Sequence, residues 1–218
     1  MYKILLFFCL FSWNSYSQSK EIDKDPKSQH ILDKLSAKMK ALKSFEVEFS
    51  SNTKNAATGA VESNIGKGCV KGNKFYASYG ETTIISNGIK TWTVVKEDKS
   101  IYQTDVSDSK ESESLNPKKL MTIWESGFKN EFLKEDVLNG VKVSVINLYP
   151  KQPKKVNYHT VILYISKTDL ELKKAVLKTR DGSIMTYILN NMIENPEVED
   201  TRFVIDLKKF PGYQVVKD

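Results

Sequence analysis

Apolar residues in this chain recur at every second position far more often than at helical spacing, and that excess limits what it can fold into. Phe45, Val47 and Phe49 alternate with Glu46 and Glu48, the two-residue period of a strand with one buried face. Strand-like segments continue through 68–71, 74–79 and 83–95 to about Thr104, and resume at about 131–138, 141–149, 158–166, 172–179 and 183–191. Asn139 with Gly140, and Asp181 with Gly182, punctuate them as turns. The tally is about ten strands.

Only two stretches read as helix. Asp25 and Pro26 form a cap-then-proline start, and Ile31, Leu32, Leu35, Met39 and Leu42 follow at helical spacing. The pair Asn116 and Pro117 repeats the signal, Leu120, Ile123 and Trp124 make a short apolar stripe, and Gly127 ends it. This predicts helices of about 17 and about 10 residues, the second spanning 117–126. Between strand and second helix, DVSDSKESESLN (105–116) is acidic, serine-rich and aperiodic, and reads as a surface loop.

An antiparallel sheet of about ten strands must twist and curl, and its inner face needs apolar cover. Two such helices cannot cover it as the helices of an α/β protein would, and a closed small barrel would leave their stripes without a partner. The expectation is therefore a mainly β (α+β) fold, a curled antiparallel sheet forming an unclosed half-barrel with an α-helical lid over an apolar cavity. The segment TIISNGIKTWTVV (83–95) supports it. With Asn87 and Gly88 as a two-residue turn, Thr83, Ile85, Lys90 and Trp92 share one face, and Ile84, Ser86, Ile89, Thr91 and Thr93 the other. Large apolar side chains fall on both, so one face is expected to meet a lid or cargo and the other the convex side or its neighbours.

At the start, Lys3 precedes ILLFFCLF (4–11), too short for a membrane span but the length of a signal-peptide core. Small residues Ser15 and Ser17 place the cut before Gln18, so 1–17 is read as a signal peptide and 18–218 as a single domain. Cys9 leaves with the leader and Cys69 remains. An exported chain with one thiol has no internal disulfide, and a hydrophobic core must hold it together. Lys and Arg exceed Asp and Glu by 33 to 27, and the leader takes only Lys3. Export argues against nucleic acid, and the spread lysine pairs read either as a solvated surface or as a surface for anionic lipid headgroups or an acidic partner.

Reactive constellations are missing from the sequence. His30 and His159 have no cysteine or second histidine at ligand spacing, and there is no Gly-x-Ser-x-Gly elbow, glycine-rich phosphate loop or Cys-His arrangement. Glu46 and Glu48 share a strand face but read as solvated carboxylates. No catalytic residue, metal or cofactor is expected, and the cavity becomes the candidate functional part. Its lining is expected to comprise Val47, Phe49, Val70, Phe75, Tyr79, Trp92 and Tyr102 from strands, with Leu35, Met39, Leu120, Ile123 and Trp124 from the lid.

In order and spacing, ILDKLSAKMKALKSF (31–45), FEVEFS (45–50), GKGCVKGNKFY (66–76), IISNGIKTW (84–92), LNPKKLMTIWESGFK (115–129) and FPGYQVV (210–216) resemble the LolA family of outer-membrane lipoprotein carriers, most closely its Bacteroidetes branch. The resemblance implies a monomeric periplasmic carrier, not an enzyme, whose interior takes the acyl chains of lipoproteins from an inner-membrane ABC transporter complex and delivers them to an outer-membrane acceptor. A periplasmic lipid-binding sensor or regulatory module with the same half-barrel is the alternative, and such regulators usually add a C-terminal domain. One position departs from the family. Proteobacterial members carry a lid-latching arginine where this chain has Gly72, so either Lys71 or Lys74 is expected to substitute, or apolar contacts alone hold the lid, or Gly72 simply occupies a turn with the latch elsewhere.

Overall fold

The computed structural model describes residues 23–106 and 122–217. The expected signal peptide and most of the segment read as an acidic loop lie outside the described residues. A single α-helix stands among them, α1 (Pro26–Ala41). Twelve strands follow: β1 (Ser44–Lys54), β2 (Val61–Lys71), β3 (Lys74–Tyr79), β4 (Thr82–Ser86), β5 (Lys90–Val95), β6 (Ser100–Asp105), β7 (Phe128–Leu138), β8 (Val141–Pro150), β9 (Tyr158–Ser166), β10 (Leu172–Thr179), β11 (Ile184–Glu194) and β12 (Gln214–Lys217). All belong to one sheet in the order β12-β6-β5-β4-β3-β2-β1-β11-β10-β9-β8-β7. It is antiparallel except for β12, which pairs in parallel with β6. The two ends do not join, so the sheet is an unclosed half-barrel with the helix laid on it.

Local chemistry accounts for most of these elements. Asp25 caps α1 by accepting the Ser28 N–H at 2.8 Å, with Pro26 in the first turn. Asn139 and Gly140 both take positive φ, as a tight hairpin turn requires. Where the sequence reading places about ten strands, the structure has twelve. The described part of the expected second helix is only a 3-10 turn, Ile123–Glu125, and Leu120 lies outside the described residues.

The hairpin of β4 and β5 is slipped from its expected register. Ile85 faces Trp92 and Ser86 faces Thr91, so Gly88 and Ile89 form the tip. Asn87 turns its carboxamide oxygen onto the Ile89 and Lys90 N–H groups. Of the tip residues, only Gly88 has positive φ, the arrangement in which glycine leads the turn. The slip is two residues, so the faces stay grouped as read.

Chain beyond β11 runs over the convex side of β2–β6 as a strap. Val198 and Phe203 cover Cys69, and Ile205, Phe210 and Tyr213 cover Ile85, Trp92, Val94 and Ile101. Here the sequence reading is corrected. Trp92 pairs laterally with Ile85 and Gln103, a row on the convex face, and it is buried beneath the strap with its indole N–H donating to Gln103 Oε1 at 3.0 Å. It does not line the concave side.

Candidate functional site: a concave trough, partly sealed

Lateral pairing defines the concave rows. Phe45, Val70 and Phe75 make one; Val47, Gly68, Ala77 and Ile84 the next; Phe49, Gly66 and Tyr79 a third. On the other side of β1, Val47 meets Met192, and Phe49 meets Leu189 across a bulge. The trough therefore continues through β11 to β8, where Leu163 and Val161 sit against Ile146 and Leu148.

Of the expected lining residues, Leu35, Met39, Val47, Val70, Phe75 and Trp124 come together in one buried cluster. Leu32 and Leu35 of α1 are fully buried in it, each stabilising by roughly 1.5–3 kcal/mol. This part of the trough is packed shut by the helix. Phe49 and Tyr79 lie on the same face in a separate, half-buried group, with ring centroids 6.1 Å apart and planes 13° from parallel. Tyr187 completes that group at 6.3 Å from Phe49, and burial pushes its hydroxyl pKa up. Tyr102 shares the Val47 row at the far end of the sheet but is 41% exposed. Ile123 is 39% exposed at the mouth.

The aromatic group rests on a glycine. A Cβ at Gly66 would come within 2.1 Å of the Phe49 ring, so only glycine lets the ring lie flat on β2. Leu189, paired with Phe49, and Leu177, paired with Met185, are half-buried and pack against the sealed cluster, so a less covered apolar section continues directly from it. At the mouth, a cavity of about 820 Å³ opens beside the 3-10 turn and shares Phe128 and Tyr158 with the core.

Polar contacts fasten the helix at both ends. Near its start, Ser28 Oγ donates to Asn130 Oδ1 at 2.6 Å, and Asn130 Nδ2 donates to Gln29 Oε1 at 2.8 Å. Toward its end, Lys38 Nζ lies 2.6 Å from Glu194 Oε1 and donates to the Asp169 carbonyl at 2.8 Å. Lys40 pairs with Glu125 of the 3-10 turn at 2.9 Å. The lysines beside Gly72 hold something else. Lys71 and Lys74 both pair with Asp200 of the strap, at 2.8 and 2.6 Å, and Lys71 also donates to the Val198 carbonyl. Gly72 itself sits at φ +62° between β2 and β3, a turn position.

Sequence reasoning missed Tyr187, Asn130, Lys38 and Gly66. A glycine inside a strand pattern was the available signal for Gly66; the other three depend on partners distant in sequence. The two glutamates on β1 are ion-paired, Glu46 with Arg202 and Glu48 with Lys67. No cluster of three metal-ligating side chains occurs among the described residues, and no helix there is long and apolar enough to cross a membrane.

Among solved structures, an uncharacterized conserved protein from Thermus thermophilus has the same fold, with TM-score 0.58 and 11% identity over 88% of this chain and 99% of its own. A LolA superfamily protein from Nitrosomonas europaea is similar at TM-score 0.41 and 14% identity, covering 81% of this chain and 97% of its own. Lipoprotein LppX of Mycobacterium tuberculosis is similar at TM-score 0.46 and 13% identity, covering 80% and 99%. No curated protein matches the chain. The family model described as outer membrane lipoprotein carrier protein LolA matches residues 21–183, and with that match over most of a half-barrel chain, the protein belongs to the LolA family.

Proposed function

We propose that the protein is a periplasmic carrier that binds the acyl chains of lipoproteins and moves them from the inner to the outer membrane, receiving them from an inner-membrane ABC transporter complex and releasing them to an outer-membrane acceptor. It works as a monomer, without a cofactor and without catalysis. The observation that carries this reading is the divided trough. Phe49, Tyr79 and Tyr187 offer an open apolar surface, and the neighbouring section is covered by a helix whose fastenings at either end are polar. The Lys38–Glu194 pair is partly exposed and exchanges with water at little cost, whereas Ser28 and Asn130 are buried, so the helix would lift from its C-terminal end and lengthen the trough while the sheet stays folded. The need for enclosure is physical: at ~0.8 kcal/mol per methylene, a dozen exposed methylenes cost on the order of 10 kcal/mol in water.

Mass spectrometry of organic extracts from protein purified out of its native periplasm tests the proposal. Acylated lipoprotein is the expected finding. Free phospholipid alone would favour a lipid-sensing module with the same half-barrel, and an empty protein would overturn lipid carriage.

A further inference from the structure

The mouth cavity has chemistry that an acyl-chain trough does not require. Its floor is apolar: Phe128 and Tyr158 stack with centroids 6.3 Å apart and planes 17° from parallel, flanked by Ile123 and Val156. At about 820 Å³ it has the volume of a small-molecule site. Its rim is unevenly charged. The carboxylate of Glu125 is neutralised by Lys40, and Lys151 is neutralised by Asp23 at 2.9 Å. Lys155 has neither an ion-pair nor a hydrogen-bond partner for its ammonium among the described residues, and the Tyr158 hydroxyl has no hydrogen-bond partner there either. Burial raises the pKa of that hydroxyl, which keeps it a donor. Two uncommitted donors thus line a cavity with an apolar floor, and the acid among its described lining residues, Glu125, is paired.

The loop carrying Lys155 is held in place. The Arg180 guanidinium donates to the carbonyls of Pro153 at 2.8 Å and Val156 at 3.3 Å, and the Lys151 N–H donates to the Gly127 carbonyl at 2.8 Å. A preorganised rim loses little conformational freedom when a ligand arrives.

We infer that the mouth cavity is a binding site for an anionic amphiphile, a glycerophospholipid whose phosphate meets Lys155 and the Tyr158 hydroxyl while the first methylenes of its chain lie on Phe128, Tyr158 and Val156. A lone ammonium suits a phosphate as a point charge, and the floor accounts for the chain. The site is separate from the open trough at Phe49, so it stands whether or not that trough carries lipoprotein. It would let the protein engage the headgroup region of an anionic leaflet or hold a lipid at the entrance.

The test is calorimetric titration with lauroyl lysophosphatidylglycerol below its critical micelle concentration, against lysophosphatidylcholine of the same chain and against inorganic phosphate. The wild type should prefer the anionic lipid. Lys155→Glu should weaken it by about tenfold or more and abolish the preference, Tyr158→Phe should weaken it less, and Lys155→Arg should retain it. Binding of an apolar dye to the Phe49 section should stay unchanged in Lys155→Glu, which separates this site from the carrier reading. Equal binding of the two lipids, or an anionic preference that survives Lys155→Glu, would overturn the assignment. Displacement of the lipid by excess inorganic phosphate alone would also overturn it, in favour of a free-anion site.

Discussion

The indole N–H of Trp124, in the 3-10 turn, donates to Ser36 Oγ of α1 at 2.8 Å, with the two residues only 4% and 8% exposed. This buried bond ties the helix to the segment leading into β7. Ser36→Ala leaves a buried donor unsatisfied and should cost about 1–3 kcal/mol in denaturant unfolding. Removing both partners in Ser36→Ala/Trp124→Phe should recover part of that loss. A double variant as unstable as the sum of its singles would mean the bond itself contributes little.

Lys38 fastens the helix, while Lys71 and Lys74 beside Gly72 hold the strap. Its ammonium bridges Glu194 and the Asp169 carbonyl across the sheet, at a site only partly exposed. Lys38→Ala should shift the balance toward a lifted helix by roughly 1 kcal/mol. Spin labels paired between α1 and β7 should show a longer distance population in Lys38→Ala but not in Lys71→Ala or Lys74→Ala. The reverse pattern would return the latch to the β2–β3 corner.

Gly66→Val should push the Phe49 ring off β2, because even a single added carbon meets the ring at 2.1 Å. Overpacking of this kind costs roughly 1–3 kcal/mol. The far-UV circular dichroism should remain that of a β protein, while an environment-sensitive apolar dye should lose affinity. Dye binding at wild-type strength would place the apolar ligand elsewhere.

Hydrogen bonds from Lys71 and Lys74 hold the Asp200 carboxyl pKa at about 2, down from 3.8. The folded value is the lower one, so the strap's attachment through Asp200 is complete above about pH 4 and is lost as pH falls toward 2. Hydrogen exchange across 198–213 should quicken over that interval. In Asp200→Asn it should already be faster at neutral pH and lose this acid step. Because the site is exposed, high salt should reduce the difference between the two proteins.

How much was legible in the sequence differs between elements for a physical reason. The start of α1 was written in Asp25 and Pro26, and the turn between β7 and β8 in Asn139 and Gly140, because caps and positive-φ turns act over three or four residues. The curl of the sheet followed from many period-two segments and too little helix to cover a flat one. Six of the expected lining residues, Leu35 and Val47 among them, gather in one cluster because helical and strand stripes mark a face that must be buried. Trp92 shows what a stripe leaves out. Its grouping with Ile85 was readable from alternation, but the side of the sheet that this group faces is decided by the strap, whose residues Ile205, Phe210 and Tyr213 carry no strand or helix period. The same holds for Lys38, whose partners lie more than a hundred residues away. Local periodicity determined which side chains travel together; only the tertiary structure, by setting what covers each face, decided which of them form the trough and which the outer core.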